Sequence, residues 1–450
     1  MAEPAHPPDA RTLAVPELAL VLLIGPSGCG KSTFARRGFA ATEIVSSDQC
    51  RAWVSDDEND QGATADAFEV LHLIVARRLA RGRLTVVDAT SVTADSRRPL
   101  LELARRFHVP AAAIVLDIPE EECLRRNAAR AGRQVPPEAI QRQMHLMRAS
   151  IGGLAREGFR HVHHLRSTAE LDAASVVRHP LPGDRRHDPG PFDIIGDVHG
   201  CAAELAELLA LLGYAPGPGG AWRHPEGRTA VFLGDLVDRG PGVVPVLRRV
   251  MAMAAAGTAL CVPGNHDAKL VRALRGRNVQ VKHGLAESLV QIRAEPPGFA
   301  AAVARFIDGL PTHYLLDGGR LVVAHAGMKA ALQGRDSGAV RSFALFGETT
   351  GETDELGLPV RVDWAADYRG TAEVVYGHTP VATPEWVNGT LNIDTGCVFG
   401  GRLTALRYPE HELVSVPARH AYAAPRRPFL PQHAGDVGGV ERKRIGSLEG

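Results

Sequence analysis

The nine residues GPSGCGKST, starting at Gly25, have the types and spacing that hold a nucleoside triphosphate. Gly25, Gly30, Lys31 and Ser32 fill the fixed positions of G-x-x-x-x-G-K-[ST], and Ser27, Gly28 and Thr33 complete the turn. Glycines let backbone N–H groups fold inward round phosphate oxygens, and the start of the next helix adds partial positive charge. Lys31 would reach the β- and γ-phosphates, and Ser32 would ligate Mg²⁺. The acceptor must be read elsewhere. Asp48 follows an apolar run and could take a proton from an acceptor hydroxyl, with Arg51 one turn on to hold the acceptor's own phosphate. An aspartate that caps a helix fits Asp48 equally well. Asp88 and Thr90, in VVDATS, could orient Mg²⁺ through water or bind the acceptor, or again cap a helix. Arg126, Arg130 and Arg133 share a face if one helix carries all three. They then form either a lid that clamps the phosphates or a solvated basic face.

A second series lies further along: Asp197-x-His199, Asp235-x-x-Asp238-Arg239, Asn265-His266-Asp267, His325 and His378. Each oxygen or imidazole donor stands where an apolar run ends, and loops at strand ends converge on one edge of a sheet. A pair of divalent metals needs a bridging carboxylate with N/O ligands on either side. Asp235 is the natural bridge. Asp197 and His199 would hold the first ion, and Asn265, His325 and His378 the second, with Asp394 a further candidate. His266, oriented by Asp238, would protonate the leaving oxygen, and Arg239 would grip the phosphate bidentately. Taken alone, His325 reads better as a core histidine. The ordered series changes that balance.

The elements that must position these residues alternate. Apolar runs at 18–25, 83–89 and 111–118 read as strands buried on both faces. Helical patterns cover 32–40, 65–81, 97–107 and 119–131. Strand alternating with helix implies an α/β fold with a parallel sheet. Residues 1–15 read as a disordered tail, 16–168 as the P-loop domain and 169–190 as a linker rich in Pro, Gly and charge. Residues 191–416 read as a second α/β domain, and 417–450 as another tail.

Composition sets bounds. In 450 residues, Lys+Arg and Asp+Glu both number 51, a formal net charge of zero, which gives no support for bulk nucleic-acid or membrane binding. Cys29, Cys50, Cys123, Cys201, Cys261 and Cys397 form no CxxC pair, so neither a zinc ribbon nor a disulfide framework is indicated. The N-terminus lacks a basic-then-apolar signal, and no apolar run could span a bilayer. A cytoplasmic protein is expected.

The set GPSGCGKST, SSDQCR, VVDATS and RRNAARAGRQVP resembles the kinase module of the polynucleotide 5′-kinases. The resemblance implies that Asp48 is the general base towards a 5′-hydroxyl, that Arg51 binds the acceptor strand, and that Arg126 and Arg130 hold ATP phosphates. GDVHG, GDLVDRG, GNHD and NIDTGCVFGG resemble the calcineurin-like metallophosphoesterases, in the branch shared with Ser/Thr phosphatases and dinucleoside tetraphosphatases. That fold is an α/β sandwich, and the resemblance favours Mn²⁺ among the divalent ions that such ligands accept. The order of the two modules resembles the bacterial polynucleotide kinase-phosphatases. It implies an end-healing enzyme that phosphorylates 5′-hydroxyl ends with ATP and Mg²⁺ and removes 3′-phosphate, or a 2′,3′-cyclic phosphate, from RNA or DNA. Those proteins commonly continue into a ligase domain, and this chain ends at Gly450, so the resemblance implies either an end-healing enzyme that relies on a separate ligase as partner or a truncated relative. The alternative is a Ser/Thr-protein or dinucleoside-polyphosphate phosphatase fused to a small-molecule kinase. An ATP-switched scaffold is the non-enzymatic reading, and it has no use for His266 beside Asp238.

Overall fold

The computed structural model describes residues 11–130, 134–355 and 359–425. The chain divides into two compact units: Met1–Arg185 with Gly334–Arg341, and Arg186–Gln333 with Ser342–Gly450.

The first unit is built on five parallel strands in the order Ile44–Ser46, Thr85–Asp88, Leu20–Ile24, Ala111–Leu116, Phe159–Leu165. All residues of Leu20–Ile24, Thr85–Asp88 and Ala111–Leu116 are buried, as continuous apolar runs in a parallel sheet require. Register aligns Leu23 with Asp88 and Ser46 with Asp88, so the segments carrying the phosphate loop, Asp88 and Asp48 leave from one edge. The helix Thr64–Ala80 buries Ala67, Leu71, Val75 and Leu79, one stripe at a spacing of four.

Three stretches depart from the sequence reading. Residues assigned to the first tail form the strand Thr12–Pro16, paired in parallel with Ser175–His179 from the expected linker. The linker also contains the helix Thr168–Ala173, and Leu13, Val15 and Leu171 join the core of this unit. The pairing joins distant segments, so no local periodicity announces it. At the other end, Tyr422 and Ala423 donate backbone N–H to Val398 O at 2.9 and 3.0 Å, so residues just past 417 are packed against the second unit's core. Residues 1–10 and 426–450 of the two tails lie outside the described residues.

The second unit stacks two sheets. One runs Ala259–Cys261, Thr229–Phe232, Phe192–Ile195, Arg402–Tyr408, Glu412–Pro417. The other contains Thr390–Asn392, Glu373–Tyr376, Leu321–Ala324 and His313–Leu316 in adjacent positions. Strand alternation assigns the faces. Phe192, Ile194, Val231 and Leu233 point between the sheets, against Leu321, Val323, Val375 and Leu391. Ile195, Ala230 and Phe232 point outward, under helices that supply Leu205, Leu208, Val246 and Leu247. No helix of the described residues is long and apolar enough to cross a membrane.

Candidate active sites

The phosphate loop of the first unit runs from the buried strand Leu20–Ile24 into the helix Lys31–Gly38. Gly28 has φ +82°, and a Cβ there would lie 2.2 Å from Cys123 O, so only glycine lets the loop close in this form. Lys31 Nζ donates to Gly25 O at 2.9 Å and Pro26 O at 2.8 Å, within the loop that it would serve. Ser27 N donates to Gln143 Oε1 at 2.8 Å. Ser32 is half-buried and Thr33 exposed. Such a cradle of backbone and one lysine fits a triphosphate with Mg²⁺.

The capping alternatives for three residues are decided by the helix starts. Ser46 caps Ser47–Ser55 and Thr93 caps Ala94–Arg106, so Asp48, Asp88 and Thr90 are not caps. Asp48 sits in a first helical turn, half-exposed, and accepts from Arg51 Nη1 at 2.7 Å. Arg51 is buried and also donates to Glu58 O at 3.0 Å. Asp88 is buried at its strand end, and Thr90 O accepts from Gly25 N at 3.1 Å. Arg126 reaches the loop, with Nη1 3.4 Å from Cys29 O and Nε held by Glu122.

One helix does not carry Arg126 and Arg130 together. The helix Glu120–Ala128 ends before Arg130, which is exposed. Buried Asn127 explains the stop: its side chain donates to Val135 O at 2.8 Å and accepts from Val135 N at 3.0 Å, folding the chain back. Arg133 lies outside the described residues.

In the second unit each singled-out residue follows the C-terminal end of a strand. Asp197 and His199 follow Phe192–Ile195, Asp235 follows Thr229–Phe232, and Asn265 follows Ala259–Cys261. His325, His378 and Asp394 follow Leu321–Ala324, Glu373–Tyr376 and Thr390–Asn392. Two donor groups result: His199, Asp235 and His266, and Asp235, His325 and His378, each with its ligand atoms within 4.8 Å of one another. They share Asp235. Asn265 Oδ1 joins the second group, 3.0 Å from His325 Nε2. Asp197 Oδ2 accepts from His378 N at 3.1 Å. Asp394 Oδ1 accepts from Gly396 N at 3.0 Å.

Backbone carbonyls set the tautomers. His199 Nδ1 lies 2.8 Å from Val237 O and His325 Nδ1 lies 2.9 Å from Leu233 O. A carbonyl only accepts, so both Nδ1 atoms carry the proton and both Nε2 atoms face the cluster as lone pairs. Burial pushes His199 well towards the neutral form, helped by the Arg239 charge, and pushes His325 in the same direction. Burial would raise Asp235, but the imidazoles of His325, His266, His199 and His378 hold it below the usual carboxylate range. Asp197 goes the other way, raised well above that range by burial and then by the charges of Asp394 and Asp235. Burial also pushes Asp394 up to about 7.

This donor set fits metal cations. Asn265 Oδ1 and His325 Nε2 are both acceptors, yet they meet at 3.0 Å. Asp197 Oδ1 and His378 Nε2 are buried with no hydrogen-bond partner. Crowded carboxylates and opposed lone pairs are costly unless a cation lies among them. Asp, Asn and His together suit divalent ions of hard to intermediate softness.

Beside the cluster, His266 Nδ1 lies 2.7 Å from Asp238 Oδ2, and Ser288 Oγ donates to Asp238 Oδ1 at 2.7 Å. Arg239 does not stand apart as a phosphate grip. Its Nη1 meets His199 Nε2 at 2.6 Å, its Nη2 meets His266 Nε2 at 3.0 Å, and its guanidinium lies over Phe399 at 5.0 Å. His199, Asp235, Asp238, Arg239 and His378 have φ of 43°, 45°, 70°, 70° and 74°, a left-handed conformation that side chains other than glycine seldom adopt. Asp267, the last residue of GNHD, has a role that the motif alone does not assign. Its Oδ1 accepts from Leu236 N at 3.0 Å and its Oδ2 from Gly264 N at 2.9 Å, tying two ligand-bearing loops together. Phe399 lies within NIDTGCVFGG but has no role that the motif itself assigns, and Ser288 stands in no motif, because each acts only through a tertiary contact.

Comparison with known proteins divides the chain in the same way. Residues 20–154 match the model of an AAA domain, and residues 190–413 match that of a calcineurin-like phosphoesterase. A protein from Geobacillus sp. (strain WCH70), named bis(5′-nucleosyl)-tetraphosphatase PrpE [asymmetrical], is 48% identical over 235 residues, which cover 51% of this chain and 96% of that protein. Proteins of the same name are 51% identical over 231 residues in Geobacillus thermodenitrificans (strain NG80-2) and 46% identical over 235 residues in Bacillus subtilis (strain 168). These matches cover 50% and 51% of this chain, and 94% and 96% of those proteins.

Proposed function

We propose a function for this chain from the fact that it belongs to the calcineurin-like phosphoesterase family. The second unit hydrolyses dinucleoside polyphosphates, and the first transfers phosphate from ATP to the hydroxyl of a small molecule. The observation that carries this reading is the pair of donor groups that share Asp235. Asp197, His199 and Asp235 would hold one divalent ion, and Asp235, Asn265, His325 and His378 the other, with Mn²⁺ the first choice to supply. Bound metals of this kind polarise the phosphoryl group and make water nucleophilic near neutral pH. The chain's own residues do the rest. Asp238, buried and fixed by Ser288, orients His266 through Nδ1. His266 Nε2 is the atom that takes up a proton and passes it to the leaving oxygen. Arg239 exchanges its contacts with the two imidazoles for contacts with phosphate oxygens. The relatives' name supports the choice of a dinucleoside tetraphosphate as substrate.

The end-healing reading stays as a second possibility because of one observation. Asp48 and Arg51 are paired at 2.7 Å in a segment leaving the same sheet edge as the phosphate loop, which suits an acceptor that carries both a hydroxyl and a phosphate. One experiment separates the two readings. Purified protein is given diadenosine tetraphosphate with Mn²⁺, and separately an RNA bearing a 5′-hydroxyl and a 3′-phosphate with ATP, Mg²⁺ and Mn²⁺. Release of a nucleoside triphosphate and a monophosphate in equal amounts is the expected result, lost in Asp235→Asn and kept in Lys31→Ala. No cleavage of the dinucleotide, with clean removal of the RNA 3′-phosphate, would overturn the proposal in favour of end healing.

A further inference from the structure

Beside His378 the second unit has a cavity of about 230 Å³ that no step above uses. Its wall includes Trp364, Tyr376, Val387, Arg361, Asp363 and Glu348. We infer that this cavity is a nucleoside site, which takes the base and sugar of a substrate whose phosphate lies at the Asp235 cluster. The inference rests on the phosphoesterase reading and goes beyond it, because it names the group that the enzyme recognises next to the reacting phosphate.

Three observations carry it. The first is a built aromatic wall. The Trp364 indole is buried and lies 5.1 Å from the Tyr376 ring, and it meets Phe343 and Tyr368 edge-on at 5.9 and 6.0 Å. Its place depends on Gly327, two residues after His325. That residue has φ +102°, and a Cβ there would come within 2.0 Å of the indole. The loop that presents a metal-ligand candidate is therefore also shaped to admit the tryptophan. The indole backs the half-buried Tyr376 ring, which is the aromatic surface that the cavity itself offers, and a fixed ring of this kind stacks nucleobases without regard to sequence.

The second observation is charge. Asp363 and Glu348 line the same cavity, and Glu348 is ion-paired with Lys329. Carboxylates there repel a second phosphate chain, but they accept hydrogen bonds from a base amino group or ribose hydroxyls. Among the lining residues the one guanidinium is that of Arg361, whose Nη1 donates to Phe346 O at 2.5 Å. It would meet phosphate at the metal side. The third observation is size. At about 230 Å³ the cavity lies below the roughly 300–1,000 Å³ of pockets for drug-sized ligands, so it holds one nucleoside at most.

The test uses the whole protein with Mn²⁺ and glycerol phosphate, a substrate without a ring, and adds adenosine, which has no phosphate to draw it to the metals. Competitive inhibition by adenosine is expected. Val387→Trp, which fills the cavity, should weaken that inhibition about tenfold or more, as should Asp363→Ala at an exposed position if the first variant does not fold. The ratio of kcat/KM for diadenosine tetraphosphate to that for glycerol phosphate should fall by a similar factor. If adenosine does not inhibit, or inhibits wild type and variants alike, the inference is overturned while cleavage of the dinucleotide still supports the function. If adenosine inhibits and responds to the variants but the dinucleotide is not cleaved, the nucleoside site stands and the proposed substrate falls. If no phosphate ester is cleaved, both fall.

Discussion

Replacing Asp238 with asparagine tests the proton path directly. Asp238 is fully buried, and its two oxygens have separate partners: Oδ1 accepts from Ser288 Oγ and Oδ2 faces His266 Nδ1, both at 2.7 Å. Asparagine keeps this shape. Its oxygen suits the Ser288 hydroxyl, which leaves its NH₂ towards His266. A donor facing Nδ1 forces the neutral tautomer with the proton on Nε2, and the imidazolium loses its anionic partner. A hydrogen bond to a charged group contributes about 1.5–3 kcal/mol. At about 1.4 kcal/mol per factor of ten, the step that needs the imidazolium slows roughly 10- to 150-fold. The leaving group decides whether that step shows. Glycerol phosphate expels an alkoxide, which needs the proton, so its kcat should fall by this factor. A nitrophenyl phosphate expels a stable phenolate, so its kcat should change little. The assay is kcat for both esters in wild type and Asp238→Asn at equal metal loading. Equal losses on the two esters would refute the reasoning and make the pair a structural support for the cluster.

Further outcomes are expected. Alanine at Gly28 meets Cys123 O at 2.2 Å and adopts φ +82°, so nucleotide binding should be lost and the first unit destabilised by at least about 1–3 kcal/mol, measured by ATP titration and thermal melting. Chelation should abolish phosphoesterase activity, and excess Mn²⁺ should restore it, measured on one sample. Asp394 is held up to about 7 in the metal-free fold, above its unfolded value, so that fold binds extra protons between about pH 4 and 7. Its stability should therefore fall as pH rises through that window. Metal uptake must expel those protons, so metal affinity should rise over the same window; calorimetry in buffers of different ionisation heat measures the released protons.

What was legible in the sequence follows a physical division. Motifs whose chemistry is local were readable. The phosphate loop needs its glycines within a few residues, and the run at 18–25 can be so apolar only if both faces are covered, as they are at Leu20–Ile24. The order of Asp197, Asp235, Asn265, His325 and His378 along the chain was readable because each ends a strand. Features that depend on contacts across the fold were not. Asn127 ends a helix by bonding to Val135, and no propensity at 119–131 reports that. The strand Thr12–Pro16 exists because Ser175–His179 lies beside it. Ser288 supports Asp238 from 50 positions away. Trp364 looks like any core aromatic until Gly327 is seen to make room for it.

The phosphoesterase site concentrates unfavourable terms in one place, and they point the same way. Left-handed backbone at five side-chain-bearing positions, from His199 to His378, is held against its own preference. Residues in such conformations cost of order 1–3 kcal/mol each and persist only where the surroundings over-determine them. Asp197 and Asp394 are buried beside Asp235, and acceptor atoms of Asn265 and His325 face each other. The two apolar layers of the sandwich offset these costs but do not explain them. A cation does, since it turns converging lone pairs into ligands and buried carboxylates into partners. Arg239 fits the same account. With its guanidinium on the Nε2 atoms of His199 and His266, it supplies positive charge to the atoms that metal and phosphate would otherwise claim.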